Sequence, residues 1–205
     1  MKPVVTCVIP SWDDHRLMSR AIPSVLAQTY RPLRLWVISD GPDPALKDLI
    51  EAEFPEANYI WRQTHEPPSW SGNSPRRLAV ESPGMDISPY VAFLDSDDSW
   101  EPQHVETVME GLLEHPETGF GYGQALMHLP GGGTNVIGTV PPAYGGVTTS
   151  AIVARTDLCR RINWGPESAH GDWDLIEKWL ADGQVGYMSD EVSVHLFPAS
   201  LGVNT

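Results

Sequence analysis

The sequence predicts an α/β fold: a mostly parallel central sheet with helices against it, and a smaller antiparallel β element in the second half. Three observations carry this. Apolar strand-length runs alternate with amphipathic helix-length runs through the first half, the pattern that parallel crossovers require. Those strands are continuously apolar rather than alternating, as strands covered on both faces are. After about residue 118, glycine-rich turns separate three strand-like runs with no long helix between them, which suits antiparallel pairing.

The elements follow in order. Val4–Ile9 is a β-branched run closed by Pro10 and reads as a buried strand. Asp13–Ala27 has Leu17, Met18, Ile22, Val25 and Leu26 on a helical period, with Pro23 placed to kink or restart the helix. Leu33–Ser39 is a second strand, stopped by Asp40-Gly41-Pro42-Asp43-Pro44. A helix follows, with Asp43 as N-cap, Pro44 in the first helical position and Leu46, Leu49, Ile50 and Phe54 inward. Asn58–Arg62 and Tyr90–Leu94 are further strands, and Pro102–His115 is an amphipathic helix. Gly119–Leu129, Thr134–Val140 and Thr148–Ala154 read as strands, and Asp172–Ala181 as a last helix stopped by Gly183. At 205 residues, without repeats or low-complexity linkers, one domain is expected over 1–205.

Charge narrows the partners. With 13 Lys and Arg against 27 Asp and Glu, the net charge is −14, which excludes a generic nucleic-acid binder, since such a protein needs a cationic face. It also argues against docking on an anionic membrane. No run approaches the roughly 18 apolar residues of a spanning helix. Cys7 and Cys159 are distant and form no CxxC pair, so buried thiols in a reducing cytoplasm are expected.

Ligands of open parallel sheets bind beyond the carboxyl ends of the strands. Three strands here end in polar residues: Pro10-Ser11, Asp40-Gly41 and Asp95-Ser96-Asp97-Asp98. Each alone would pass for a solvated loop. The last is the sharpest, because three carboxylates within four residues repel one another unless a cation lies between them, and hard oxygens select Mg²⁺ or Mn²⁺. A calcium loop is the rival: Asp95, Asp97, Ser99 and Glu106 fall at its ligand spacing, but Trp100 stands where it needs glycine.

These segments resemble the family 2 glycosyltransferases of the GT-A fold. Val8-Ile9-Pro10-Ser11-Trp12-Asp13 is similar to the family's VIPTYN opening, and Ile22–Tyr30 to its helix end SVL-x-QTY. Ile38-Ser39-Asp40-Gly41 is similar to its VDDGS turn, and Tyr90–Pro102 to its DXD segment. The resemblance runs in the family's order over most of the chain.

The resemblance implies a GT-A-like, Rossmann-like domain, with a nucleotide-binding half over 1–100 and an acceptor and catalytic-base half over 101–205. It implies a metal-dependent, inverting, hexosyl-type transferase acting on a nucleoside diphosphate sugar, UDP-sugar favoured. Asp97 is the implied direct ligand of Mn²⁺ or Mg²⁺, with Asp95, near the ribose, and Asp98 as further ligands; Asp98 could equally cap the next helix. Asp40 is implied to meet the nucleobase, with Pro10 and Ser11 lining its pocket and Ser96 joining the donor-binding residues. Gly72–Ala79 is similar to the family's G-x-x-x-ARN segment, which sets Arg76 on phosphate oxygens, with Arg77 a weaker candidate; a solvated helix face is the plain alternative. Gly171-Asp172-Trp173-Asp174-Leu175 is similar to EDWDL, so Asp172 is the implied general base, Asp174 its runner-up and helix capping its alternative; Gly171 replaces the family's glutamate. Val194–Ser200 only loosely follows the family's closing segment, with Phe197 at its histidine and His195 two residues away. His170 beside the base and the rings of Trp70, Trp100, Trp164 and Trp173 are candidate acceptor contacts. The acceptor is open, and a partner subunit or a second copy could complete its site. Two other readings stay in view: a non-catalytic nucleotide-sugar or carbohydrate binder, and a nucleotidyltransferase, although the loop after the first strand lacks the glycine-rich basic character of the latter.

Overall fold

A computed structural model describes residues 1–12, 15–61, 72–165 and 171–197, apart from the side chain of Asp172. Nine strands form one continuous sheet: β1 Val5–Ser11, β2 Leu33–Ser39, β3 Asn58–Trp61, β4 Tyr90–Phe93, β5 Ser99–Trp100, β6 Thr118–His128, β7 Thr134–Ile137, β8 Ile152–Arg155 and β9 Val185–Leu196. Their order is β3-β2-β1-β4-β8-β6-β9-β5, with β7 paired to β6. β3, β2, β1 and β4 are mutually parallel. β8 then runs antiparallel to both β4 and β6, and β9 runs parallel to β6. The antiparallel part expected in the second half is therefore joined edge to edge to the parallel part. The carboxyl ends of β1, β2, β3, β4, β6 and β9 all lie at the same end of the sheet.

The helices are α1 Ala21–Leu26, α2 Pro44–Glu53, α3 Asn73–Glu81, α4 His104–Glu114, α5 Thr156–Arg161 and α6 Asp172–Ala181. The single helix expected over Asp13–Ala27 is instead a 3₁₀ turn, His15–Met18, followed by α1; residues 13 and 14 lie outside the described residues. Pro23 explains the break: it has no N–H, so it is tolerated only in a first turn, and α1 begins two residues before it. The Asp43 side chain caps α2 by accepting from Leu46 N at 2.9 Å, with Pro44 in the first turn, as its sequence indicates. In the span expected as one strand over Thr148–Ala154, a 3₁₀ turn Thr149–Ala151 precedes β8.

All seven residues of β1 are buried, as a central strand covered on both faces requires. The core is continuous from Val5, Val8 and Ile38 through Phe93 to Val108, Phe120, Ile176 and Trp179. Cys7 and Cys159 are buried within it and unbridged, and burial pushes both thiols up. Among the described residues no helix is long and apolar enough to cross a membrane.

Candidate functional site

The carboxyl ends of β1, β2 and β4 bring the sequence-distant polar residues together. Ser11 ends β1 in register with Ser39 of β2. Asp40 follows at once, and its backbone N donates to Ser11 O at 2.8 Å. Both Ser11 and Asp40 are buried. Trp12, half exposed, reaches across Gly41: a Cβ on Gly41 would stand 3.0 Å from its ring. Glycine at 41 thus lets an aromatic face lie beside Asp40, a contact the resemblance to the opening segment did not single out.

β4 delivers the Asp95–Asp98 turn to the same end. Arg76, in the first turn of α3 and only 3 % exposed, forms an ion pair with Asp95, which is 35 % exposed. The Arg76 guanidinium also lies 5.9 Å from the ring of Trp164. That ring is buried and meets Phe93 edge-on at 4.9 Å. A buried guanidinium on an apolar shelf defines the direction in which the Asp95 carboxylate is held. Arg77, by contrast, is exposed and pairs with Glu81 along α3, so it is part of the solvated helix face.

Asp97 meets cations from the segment after β1. Arg16 Nη1 lies 3.5 Å from Asp97 Oδ2, and Arg20 Nη1 donates to the Asp97 carbonyl at 2.9 Å. Ser96 sits between Asp95 and Asp97, half-buried. Nothing local in the sequence marks Arg16 or Arg20, since each lies about 80 positions from its partner.

Asp98 departs from the expectation of a third ligand. Its Oδ2 accepts from Ser150 Oγ at 2.6 Å and its Oδ1 from Phe197 N at 3.0 Å. The residue is buried, and its carboxyl is pushed up to about 7, by burial first and then by the charges of Asp95 and Asp97, against the Ser150 and Phe197 hydrogen bonds. Nor does it cap the next helix: α4 has Gln103 at its N-cap, with no side-chain cap bond. Asp98 instead ties the turn to β8 and β9. Ser150 Oγ also accepts from Asp95 N at 3.1 Å.

The closing strand supplies the rest of this brace. His195 Nε2 lies 2.7 Å from Glu101 Oε1, and its Nδ1 lies 3.1 Å from His128 Nε2. His195 is thus held between two side chains rather than turned to the carboxylates. The Phe197 ring stacks on His128 at 4.4 Å and carries the Arg20 guanidinium at 3.9 Å on its ring. Behind the turn, Trp100 Nε1 donates to Ser150 O at 2.6 Å and its ring lies 4.7 Å from His104. His104 is buried, its Nδ1 is 2.8 Å from Ser193 Oγ, and burial lowers its pKa to about 3.

Of the four candidate acceptor rings, Trp100 and Trp164 are core residues. Trp173 is half-buried and meets the exposed Tyr144 edge-on at 6.2 Å. Trp70 and His170 lie outside the described residues, as does the Asp172 side chain. The backbone places Asp172 first in α6 with Gly171 at the N-cap, so Asp172 does not occupy the capping position. Gly171 has φ 51° and ψ −109°, a conformation closed to residues with a Cβ; the glutamate of the resembling segment could not be placed there without strain.

A divalent cation would draw on part of this donor set. Among the described residues no three carboxylate, imidazole or thiol groups converge as a cage. Mg²⁺ and Mn²⁺ need none, since one or two carboxylates suffice when phosphate oxygens complete the shell. Asp95 and Asp97, both partly exposed on one turn, supply hard oxygens of that kind and fit a cation shared with a phosphate-bearing ligand. A cavity of about 320 Å³ lined by Met85, Ser88, Tyr90, Arg155 and Arg160 lies instead at the amino end of β4, away from these carboxylates.

Comparisons with known proteins agree with this geometry. Residues 6–126 match the family model described as glycosyl transferase family 2. The succinoglycan biosynthesis protein ExoW of Rhizobium meliloti is 34 % identical over 116 residues, covering 53 % of this chain and 34 % of its own length. The glucosyl-dolichyl phosphate glucuronosyltransferase of Haloferax volcanii is 28 % identical over 114 residues, covering 56 % of this chain and 34 % of its own. The chain thus spans about a third of the length of these relatives. Among solved structures, S. aureus TarS 1-349 in complex with UDP superposes with a TM-score of 0.72 at 17 % identity, over 96 % of this chain and 60 % of that one. The mannosyltransferase PcManGT of Pyrobaculum calidifontis, in complex with GDP-Man and Mn²⁺, superposes with a TM-score of 0.69 at 13 % identity, over 100 % of this chain and 59 % of that one.

Proposed function

The chain belongs to glycosyl transferase family 2, and from that premise we propose that it moves a hexosyl group from a nucleoside diphosphate to a hydroxyl acceptor, with inversion at the anomeric carbon. The observation that carries this is the meeting of Ser11, Asp40 and the Asp95–Asp97 carboxylates at one end of the sheet, with Arg76 paired to Asp95. That grouping would suit a base, a ribose and a diphosphate in succession, and its residues all fall within 1–100. The solved neighbours bound to UDP or to GDP-Man with Mn²⁺ support a nucleotide-sugar donor.

Asp40 accepts from the N3–H of a uracil ring, which favours a UDP-sugar. Trp12 offers its exposed face to the same ring, and Pro10 and Ser11 close the pocket behind it. Asp95, paired with Arg76, faces the ribose with Ser96 beside it. A divalent cation, Mn²⁺ or Mg²⁺, held by Asp97 with Asp95, would act as the Lewis acid that stabilises charge on the leaving diphosphate. Asp98 braces that turn from behind. In the second half, Asp172 at the start of α6 takes the proton of the acceptor hydroxyl as that oxygen attacks opposite the leaving group. The buried, unbridged Cys7 and Cys159 suit a cytoplasmic workplace.

The test is a thermal-shift panel of UDP, GDP, UDP-GlcNAc and GDP-Man, each with and without Mn²⁺. A ligand that binds only the folded state raises the melting temperature with its concentration. The expected result is a shift with uridine nucleotides that grows when Mn²⁺ is present. No shift with any nucleotide would sink the proposal. Binding without release of sugar to water or to any acceptor would favour a non-catalytic binder.

A further inference from the structure

Asp97 is the carboxylate on which the proposed cation depends, and cationic side chains already answer its charge. Arg16 Nη1 stands 3.5 Å from its Oδ2, and Arg20 Nη1 holds its backbone carbonyl at 2.9 Å. Both arginines come from the short stretch between β1 and α1. Arg20 is pinned, because its guanidinium lies on the Phe197 ring and Phe197 N is bonded to Asp98. The Arg16 side chain is 37 % exposed, and its reach to Asp97 exceeds ordinary hydrogen-bond length. The neighbouring Asp95 has its own partner in Arg76. Asp95 and Asp97 are therefore each met by cations that belong to the chain itself.

We propose that Arg16 is a resident counter-cation of Asp97, which a divalent metal must displace, and that an incoming diphosphate makes this possible by taking Arg16 over. The proposal rests on the reading above, in which Asp97 shares a cation with a diphosphate. A metal arriving alone must break the Arg16 contact and add two positive charges beside Arg16, Arg20 and Arg76. A metal arriving with a nucleoside diphosphate brings compensating negative charge. The freed guanidinium can then donate to phosphate oxygens, which suit its fork as well as a carboxylate does. Metal and nucleotide consequently bind with positive coupling, and each raises the affinity of the other by the same factor.

The test is a Mn²⁺ titration read by the electron paramagnetic resonance of free Mn²⁺, with UDP present or absent, on the wild type, Arg16→Gln and Arg16→Lys. Asp97→Asn serves as the control for the cation site, and circular dichroism checks each fold. Arg16→Gln is expected to bind Mn²⁺ alone about two- to fivefold more tightly than the wild type, the scale of a partly exposed ion pair. The factor by which UDP raises Mn²⁺ affinity is expected to shrink about tenfold, the scale of one charge-assisted phosphate contact. Arg16→Lys should stay near the wild type. General damage to the fold lowers affinity and cannot imitate the gain. If Arg16→Gln leaves both quantities unchanged while Asp97→Asn abolishes binding, the counter-cation role is overturned and the metal reading stands. If the wild type binds no Mn²⁺ with or without UDP, the metal reading falls and this proposal with it.

Discussion

The two halves of the sheet treat the same carboxylate turn differently. The parallel half, β3-β2-β1-β4, brings it to the end of a strand and surrounds it with the residues proposed to face a ligand: Ser11, Asp40, Arg76. The mixed half, β8-β6-β9-β5, gives it nothing that faces a ligand in the described residues, but braces it from behind through Ser150, Phe197, His195 and Trp100. The groups proposed to do chemistry are short-range consequences of where strands stop. The groups that hold them still come from up to 99 residues away. Substitutions in the two halves should therefore fail in different ways.

The sharpest break in that division would come from Asp97→Asn. Loss of about a thousandfold in sugar transfer is expected, with an unchanged urea midpoint, because charge stabilisation of a leaving diphosphate is worth several kcal/mol. Transfer kept near the wild-type rate, or a fold lost with the carboxylate, would erase the distinction between the halves. Asp172→Asn tests whether the second half also contributes chemistry: transfer should fall about a hundredfold while UDP binding by thermal shift is unchanged. A smaller effect, and of the other kind, is expected from Ser150→Ala. It removes the hydroxyl shared by Asp98 and Asp95 N, so stability should drop by about 1–3 kcal/mol in urea denaturation, with a milder loss of transfer.

The last effect concerns pH and not chemistry. His104 stays neutral in the fold down to about 3, whereas an unfolded histidine takes its proton near 6.5. Between those values the unfolded state binds more protons, so stability is lost as pH falls from 6.5 towards 3, by at most about 1.4 kcal/mol per unit. His104→Gln, which takes up no proton, should flatten that slope in urea midpoints measured across the window. An unchanged slope would assign the acid sensitivity elsewhere.

What was legible in the sequence follows the same line. β1, β2, β4 and α4 are contiguous runs with clear periods, and the cap of α2 is written in Asp43-Pro44. The residues proposed to face a ligand sit at the ends of those runs, so their meeting at one end of the sheet could be read from order alone. β9 could not. It mixes apolar and charged residues over Val185–Leu196, and its pairing with β6 contains register irregularities, so no alternation survives. β5 has two residues, and its existence depends on β9. The standing of Asp98 was illegible for the same reason, since a buried brace and a metal ligand look alike until Phe197 is in place. Trp164 illustrates the converse: its sequence neighbourhood suggests a platform, but Phe93 and Arg76 make it a shelf inside the protein.

One consequence of the strand order concerns time. β5, which begins directly after the Asp95–Asp98 turn, has β9 as its only sheet partner among the described residues. β9 is the last of the described strands along the chain. A chain emerging from the ribosome can align β1, β2 and β4 and present Asp95 and Asp97 while the brace behind them is still unsynthesised. The turn closes only when Ser193, His195 and Phe197 arrive, after a loop of some ninety residues has been drawn together, a search whose entropic cost grows with loop length. Competence to grip a ligand rigidly thus follows the synthesis of β9, so a chain that has not yet reached that strand carries the carboxylates without the means to hold them in place.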